Sequence, residues 1–269
     1  MEHATPFAVA VIIYLFFVVI YFIKRAKREE IKIRKIPGVD AINYAVGRAA
    51  ELGRPVSFTT GLTAVSPVLY AVLGVLHYVA KKAAVYKVKL LVPQYNPESM
   101  AIVENTVQEA YQEAGKLSQF SPQNIIFLSE SQFAFASGYI GLVHRERVAS
   151  AFLFGYFAAE SLILAEAGQQ IGAMQVGASV SPEQVPFFIS TCDYTLIGEE
   201  LFASSAYLTK EPIQSGSLAG QDRVKLLFFV VIIVGTIIAT YNSLSSALKL
   251  SPAIPNLNYF IYYSWEKLI

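Results

Sequence analysis

The chain lacks the residues from which several common kinds of site are built. It has one cysteine, Cys192, so no disulfide can form within the chain. Its three histidines, His3, His77 and His144, are far apart and do not have the spacing of metal ligands. We therefore expect no disulfide framework and no structural zinc site, and the sequence predicts no cofactor.

The motifs that bind nucleotides in α/β proteins are also missing. No G-x-G-x-x-G run follows the first predicted strand, and no G-x-x-x-x-G-K-[ST] run occurs in the sequence. The second predicted strand ends in Pro93-Gln94, where a dinucleotide-binding domain has an acidic residue for the ribose. These absences argue against NAD binding and against P-loop chemistry.

Charge is scarce, and it points away from nucleic acid. Charged residues make up 15% of the chain, hydrophobic residues make up 54%, and the net charge is +1. Outside one cluster near the first apolar segment, no basic run is interleaved with aromatic residues. We therefore predict no nucleic-acid partner. The composition is also too apolar for an ordinary soluble chain.

Two long apolar segments explain that composition. We predict a first transmembrane helix over 6–23 and a second over 223–244, because each is long enough to cross a hydrocarbon core of roughly 30 Å. A signal peptide is the alternative for the first segment. No basic residue precedes it and no small-x-small cleavage site follows it, so we interpret it as an uncleaved anchor.

The basic residues predict the orientation of these segments. Seven lysines and arginines lie between Lys24 and Lys35, and Arg223 and Lys225 precede the second segment. Such residues stay on the cytoplasmic side of a span. We predict a cell-membrane protein with two spans, a cytoplasmic central domain and both termini outside the cytoplasm, with the lipid bilayer as its first partner.

Between the two segments, short apolar runs alternate with amphipathic ones. This alternation predicts an α/β fold, a Rossmann-like and mostly parallel sheet flanked by helices, inserted between the two transmembrane helices. The predicted organisation is a basic juxtamembrane segment and first helix over 24–54, the cytoplasmic domain over 55–209, a linker over 210–222 and an extracytoplasmic aromatic tail over 245–269.

Several local boundaries follow from capping residues. Ser66-Pro67 and Asn96-Pro97 each predict the start of a helix. The helix after Ser66 is apolar enough to be a third span, but charged residues shorten it, so we favour a buried core helix. Ser129 with Gln132 predicts a capping box, and Asp193 predicts the cap of a last helix.

One segment has no single interpretation. Phe187–Thr191 follows Pro186, and the sequence leaves open whether it is a strand or a short irregular turn. Cys192 lies at the predicted start of the last helix, where a thiol is activated in some enzymes. No histidine is expected beside it, and a buried structural cysteine is the favoured interpretation.

A ligand site, if present, is predicted at the carboxyl ends of the strands, where open parallel sheets bind ligands. The candidate ligand-binding residues in those loops are Thr59, Thr60, Gly61, Asn96, Glu130, Glu160 and Ser179. Glu160, Glu166, Glu199 and Glu200 are the candidate acids or bases. Such residues are also what strand-to-helix turns require, so we predict no catalytic constellation.

The remaining features concern association. Gly235 and Ala239 form a small-xxx-small pair that allows two spans to approach. Aromatic residues in the tail suit a partner protein or the membrane interface, and the candidates are Tyr259, Tyr262, Tyr263 and Trp265.

Three stretches carry a resemblance to known sequences. IPGVDAINYAVGRAAELGRPVSFTTG, FGYFAAESLILAEAGQQIGAMQVGAS and CDYTLIGEELF resemble a family of uncharacterised prokaryotic membrane proteins with a domain of unknown function. The likeness covers residues 36–208. It implies one membrane-tethered domain and brings no assigned activity, cofactor or catalytic residue.

The sequence thus favours a non-enzymatic, membrane-anchored scaffold or subunit that forms a homo-oligomer or docks onto other subunits of a membrane complex. The alternative is a membrane-tethered sensor or enzyme with a small-ligand pocket at the carboxyl ends of the strands. An oligomeric transport component is a third hypothesis, disfavoured because the second span has only a thin polar face.

Overall fold

The chain divides into two compact units. In the computed structural model, the described residues are 6–29 and 37–247. One unit contains 6–29 and the described part of the chain from Ser215 onward, and the other contains the described residues up to Gln214. The candidate tail residues Tyr259, Tyr262, Tyr263 and Trp265 lie outside the described residues.

A six-stranded sheet forms the centre of the larger unit. All five neighbouring pairs are parallel, and the strand order is β3-β2-β1-β4-β5-β6. This is the order of doubly wound α/β proteins, and it confirms the predicted α/β class. The strands are β1 Val56–Gly61, β2 Leu90–Gln94, β3 Ile125–Phe127, β4 Ser150–Tyr156, β5 Met174–Ser179 and β6 Tyr194–Ile197.

Helices cover both faces of the sheet. Helices α2, α3, α4 and α8 contribute buried residues to the core on one face, and α5, α6 and α7 contribute to the core on the other. Both faces of the central strands are therefore apolar, as in other parallel sheets. The helices are α1 Pro6–Ala26, α2 Pro37–Leu52, α3 Pro67–Tyr86, α4 Pro97–Glu113, α5 Gln132–Glu146, α6 Ser161–Gln170, α7 Val185–Thr191, α8 Glu199–Thr209 and α9 Pro212–Ala247.

Helix α3 is a core helix, as the sequence favoured. Among the described residues, two helices are long and apolar enough to cross a membrane, Pro67–Tyr86 and Pro212–Tyr241. In the first, 61% of the most apolar window is buried in the protein, whereas in the second the value is 0%. The apolar side chains of α3 thus pack against the sheet and α8, whereas the apolar side chains of α9 are exposed.

The predicted linker over 210–222 is wrong in its conformation. Helix α9 begins at Pro212 and continues without a break for 36 residues. Proline is well tolerated in the first turn of a helix, where its missing N–H has no helical acceptor. The polar residues that suggested a linker, such as Ser215 and Gln221, are instead the first turns of the long helix.

Two glycines bring α1 and α9 into close contact within the smaller unit. A Cβ atom added at Gly216 would lie 2.6 Å from the Cα of Ile23, and one added at Gly220 would lie 3.2 Å from the Cα of Val19. Residue numbers rise along α9, from Gly216 to Gly220, while they fall along α1, from Ile23 to Val19. The two helices are therefore antiparallel at this contact. Gly235 has no atom within 4 Å of its added Cβ, and it lies on an open surface of α9.

Two local predictions near the last strand are wrong. Asp193 does not cap a helix: it precedes β6, which the sequence missed, and its Oδ2 accepts a hydrogen bond of 2.7 Å from the Gln175 N–H. Phe187–Thr191 lies in helix α7, because Pro186 occupies its first turn rather than its interior. The last helix begins only at Glu199.

The predicted capping box is also wrong. Helix α5 begins at Gln132, and Ser129 lies outside it with its Oγ accepting a hydrogen bond of 3.0 Å from the Ser131 N–H. The prediction for Asn96 is confirmed, since its Oδ1 accepts a 2.9 Å hydrogen bond from the Glu98 N–H at the start of α4.

Candidate functional site

The strand order fixes where a ligand crevice is expected. Strand β1 leads into α3 on one face of the sheet, and its neighbour β4 leads into α6 on the other face. The connections therefore diverge at the carboxyl ends of β1 and β4, and this divergence opens the ligand crevice in doubly wound proteins.

Here the two connections are hydrogen-bonded to each other. The Leu62 N–H donates to the Tyr156 carbonyl oxygen at 2.9 Å, and the Tyr156 N–H donates to Thr63 Oγ1 at 2.8 Å. The Thr63 hydroxyl in turn donates to the Thr60 carbonyl oxygen. Two backbone N–H groups at this point, those of Leu62 and Tyr156, are thus paired within the protein and are not available to bind an anion.

Glycine allows this close approach. Gly61 has φ +58° and Gly155 has φ +141°, both in the region that side chains rarely adopt. A Cβ atom at Gly61 would lie 2.5 Å from the Tyr156 carbonyl oxygen and 2.6 Å from a ring carbon of Phe157. Phe157 is fully buried, so its ring occupies the space between the two connections.

The predicted hydroxyl groups of β1 are bonded inside the protein. Thr59 is fully buried, and its Oγ1 accepts a 3.2 Å hydrogen bond from the Gly61 N–H. Thr60 Oγ1 donates to Gln94 Oε1 at 2.9 Å across the sheet. These contacts hold the end of β1 against β2, and they use the groups that a ligand would need.

The other predicted loop residues stabilise their own connections. Asn96 caps α4, as described above, and Ser179 is buried with its Oγ accepting a 3.1 Å hydrogen bond from the Ser181 N–H. Glu130 is exposed in the connection between β3 and α5. Asn96, Glu130 and Ser179 thus belong to three separate connections, those after β2, β3 and β5.

Glu160 is a buried carboxylate with a structural set of partners. Its Oε2 accepts a 2.6 Å hydrogen bond from Gln132 Nε2, and its Oε1 accepts a 3.0 Å hydrogen bond from the Ala158 N–H. Gln132, which the sequence assigned to a capping box, instead ties α5 to the connection before α6. Gln132 and Glu160 are 28 positions apart in the chain, so the sequence alone does not indicate that they are hydrogen-bonded.

Cys192 is not an activated thiol. It follows the last residue of α7 rather than preceding a helix, and its Sγ lies 3.0 Å from the position of a Cβ added at Gly177. Burial raises the pKa of Cys192 to about 12. Among the described residues, no group of three or more histidine, cysteine, aspartate or glutamate side chains could hold a metal ion.

One groove lies away from the strand ends, between α3, α4, α8 and the start of α9. It encloses about 690 Å³. Charged, polar and apolar side chains all line it. Lys81 Nζ lies 2.9 Å from Glu113 Oε2, and this hydrogen bond, together with the nearby His77, lowers the pKa of Glu113. The sequence does not indicate this groove, because residues of four separate helices form it. Among them are Tyr70, Gly74, Tyr78, Glu109 and Gln214.

Comparison with known proteins gives a family and no activity. No curated protein matches the chain, and no solved structure matches it. The profile of one family, a domain of unknown function designated DUF6754, matches residues 2–249. The match includes all of the described residues, so α1, α9 and the α/β unit lie within one family domain. The chain therefore belongs to the DUF6754 family.

Proposed function

We propose that this protein is a membrane-anchored, non-catalytic α/β module that self-associates or docks onto a larger membrane assembly. The observation that carries the proposal is the closed switch point, at which the connections after β1 and β4 bond to each other. A ligand at this position would have to break those hydrogen bonds and displace the buried ring of Phe157.

Exposed aromatic residues support an interaction role for the same edge of the sheet. Phe133 is 61% exposed at the start of α5, and Tyr156 is 46% exposed at the end of β4. Aromatic side chains are enriched in protein interfaces, since each covers a large apolar area with few rotatable bonds.

The membrane part of the proposal rests on α1 and α9. No other part of the described protein buries the apolar side chains in the most apolar window of α9, and they require an apolar environment such as lipid. Basic residues next to the apolar parts of the two helices, Lys24 and Arg25 in α1 and Arg223 and Lys225 in α9, favour a cytoplasmic α/β unit and termini outside the cytoplasm.

Native mass spectrometry of the full chain in mild detergent tests the proposal. We expect a defined multi-copy complex or a complex with other subunits. A strict monomer without any co-purifying protein would contradict it.

If the open surface around Gly235 joins the copies, Gly235→Ile should reduce the oligomer, whereas the control Thr240→Ile, on another face of α9, should not.

A second candidate function is the binding of a small ligand in the groove between α3, α4, α8 and the start of α9. Its volume of about 690 Å³ is in the range of ligand pockets, and this observation favours the groove over the closed strand ends. A bound small molecule in the same spectra should be lost in Tyr70→Ala, which removes a lining side chain. It should persist in Tyr44→Ala, at an equally exposed tyrosine of α2.

A further inference from the structure

The carboxyl edge of the sheet is acidic throughout. This edge comprises the ends of the strands, the connections that follow them and the first turns of the next helices, residues 60–70, 94–100, 127–135, 155–164, 179–188 and 197–202. It contains no lysine, arginine or aspartate and has six glutamates, Glu98, Glu130, Glu160, Glu183, Glu199 and Glu200. Glu160 is buried, and the other five are at least partly exposed.

Large apolar side chains accompany these glutamates. Eight of them are between 38% and 61% exposed. A mixture of carboxylates and exposed apolar groups fits a partner surface that offers cations next to apolar side chains. The eight residues are Val65, Tyr70, Phe127, Phe133, Tyr156, Phe187, Ile197 and Phe202.

The amino edge, where helices lead into strands, has the opposite balance. The connections there contain five cations and one anion, Asp193, whose carboxylate already accepts a hydrogen bond from the Gln175 N–H. Exposed apolar side chains accompany them at the preceding helix ends, including Leu52, Tyr86 and, in a short turn, Leu117. The five cations are Arg54, Lys87, Lys89, Lys116 and Arg147.

Most carboxylates in the last helical turns at this edge are paired. Glu146 lies 2.8 Å from Lys89, and Glu113 lies 2.9 Å from Lys81. Glu51 is the remaining one. After these pairings the amino edge keeps an excess of positive charge, with no carboxylate bonded to the Lys87 or Arg147 side chains among the described residues.

Two of these cations occupy backbone positions that normally favour glycine. Lys87 has φ 57° and Arg147 has φ 50°, at the ends of α3 and α5. The corresponding positions after α2, α4 and α6 are glycines with φ between 62° and 68°. A glycine would adopt this conformation at a lower energetic cost, so these two cations stand at positions where the backbone alone favours glycine.

We propose that the acidic carboxyl edge of one copy docks on the basic amino edge of the next copy. This inference rests on the proposed function, of which it specifies the partner and the surface. A contact between two different surfaces of identical chains is head-to-tail, and it produces a closed ring or an open filament.

An anionic lipid surface is the competing partner for the amino edge. Lipid headgroups would satisfy the cations, but they would leave the acidic, apolar carboxyl edge without a complementary surface. A second copy satisfies both edges with one contact, and both halves of that contact are present on the described surface. The observations therefore favour the second copy.

Charge reversal of the full chain in neutral-lipid nanodiscs or mild detergent tests this contact. The amino-edge variant carries Lys87→Glu and Arg147→Glu, and the carboxyl-edge variant carries Glu98→Lys and Glu130→Lys. We expect each variant alone to weaken self-association at least tenfold in sedimentation experiments. Mixing the two variants, or combining all four changes in one chain, should restore it. Reversals on helix surfaces away from the edges, Glu109→Lys and Glu166→Lys, serve as the matched control.

Salt and lipid composition complete the test. Raising the salt concentration from about 50 to about 500 mM should weaken self-association of the unchanged chain about tenfold, because exposed charges are screened. If mixing fails to restore association and the amino-edge variant instead loses binding to anionic vesicles, the lipid partner is correct and our proposal is wrong. If the chain associates and all reversals are without effect, this contact is wrong while the proposed function stands. A monomeric unchanged chain without partners would overturn both.

Discussion

At the scale of single residues, the switch point depends on two glycines and one phenylalanine. Gly61 and Gly155 let the backbone of one connection lie against the other, and Phe157 fills the space between them. In a doubly wound protein with a bound ligand, glycines at this place allow the ligand to approach the backbone. Here they allow the protein to approach itself, and the same residue type closes the crevice.

Gly61→Ala should strongly destabilise the α/β unit. The new Cβ would clash with the Tyr156 carbonyl oxygen and the Phe157 ring, and we expect a loss of about 3 kcal/mol in the free energy of unfolding. Gly53→Ala is the matched control, because Gly53 has a similar φ of +62° with open space around its Cβ position. Its expected cost is about 1 kcal/mol. Thermal unfolding in detergent compares the two, and equal losses would show that backbone strain, not crowding, decides the effect.

Cys192 should be nearly unreactive in the folded protein. With its pKa raised to about 12, the thiolate fraction at pH 8 is roughly 1,000-fold below that of an ordinary cysteine. We expect alkylation by iodoacetamide to be slower by about the same factor until the chain is unfolded in denaturant. Since this is the single cysteine of the chain, the label reports on one site. Cys192 is half-buried, and fast labelling of the folded protein at pH 8 would contradict its raised pKa.

The same thiol gives a pH dependence of stability. Its pKa is higher in the folded than in the unfolded chain, so the unfolded chain loses the proton first as the pH rises. The contribution of Cys192 to stability should be complete below about pH 8 and should fall as the pH rises toward 12. Cys192→Ala should flatten this part of the stability profile, and a profile that keeps its slope would assign the effect to other groups.

At the scale of elements, helix α3 has the composition of a membrane span but the position of a core helix. It passes the test of length and hydropathy for a membrane span, yet it lies between the sheet and its neighbouring helices, with ten buried residues. Its contact with α8 depends on Gly74, since a Cβ added there would meet the Ser205 hydroxyl and lie 3.0 Å from Thr209 Cγ2. A lipid-facing helix would not need such a contact.

Alanine substitutions at two helical glycines should have effects of opposite sign. Gly74→Ala should lower the free energy of unfolding by about 1–2 kcal/mol, because crowding against α8 outweighs the gain in helix propensity. Gly47→Ala in α2 has open space and should raise it by up to about 1 kcal/mol. Adding Ser205→Ala to the Gly74→Ala variant should recover part of the loss. A stabilising Gly74→Ala would mean that α3 and α8 are not in close contact.

At the scale of the whole molecule, the family match joins the apolar helices and the α/β unit into one domain. It extends over residues 2–249, so the family profile includes both α1 and α9 as well as the α/β unit. The exposed apolar surface of α9 and the opposite charges at the two sheet edges then describe one kind of protein. These features support the proposal of a protein that is held at a membrane and presents its α/β unit to other proteins.

Labelling in intact cells tests the proposed topology. In a Cys192→Ser background, a cysteine at position 44, which is 66% exposed in α2, should react with an impermeant maleimide only after the membrane is opened. The matched variant His3→Cys should react in intact cells. Labelling of Tyr44→Cys without permeabilisation would place the α/β unit outside the cytoplasm, and resistance of the protein to alkaline extraction checks its integration in the membrane.

The sequence by itself determined the alternation of strands and helices, the apolar ends and the absence of nucleotide and metal motifs, because these depend on local composition and spacing. Only the tertiary structure decided what happens at the switch point. The hydrogen bonds from Leu62 to Tyr156, from Thr60 to Gln94 and from Gln132 to Glu160 join residues far apart in the chain. Strand β6 was missed for a related reason, since its four residues are too few to show a pattern without the neighbouring strand β5. Whether a loop residue binds a ligand or another loop is decided by what lies opposite it, and that is set by the order of strands in the sheet.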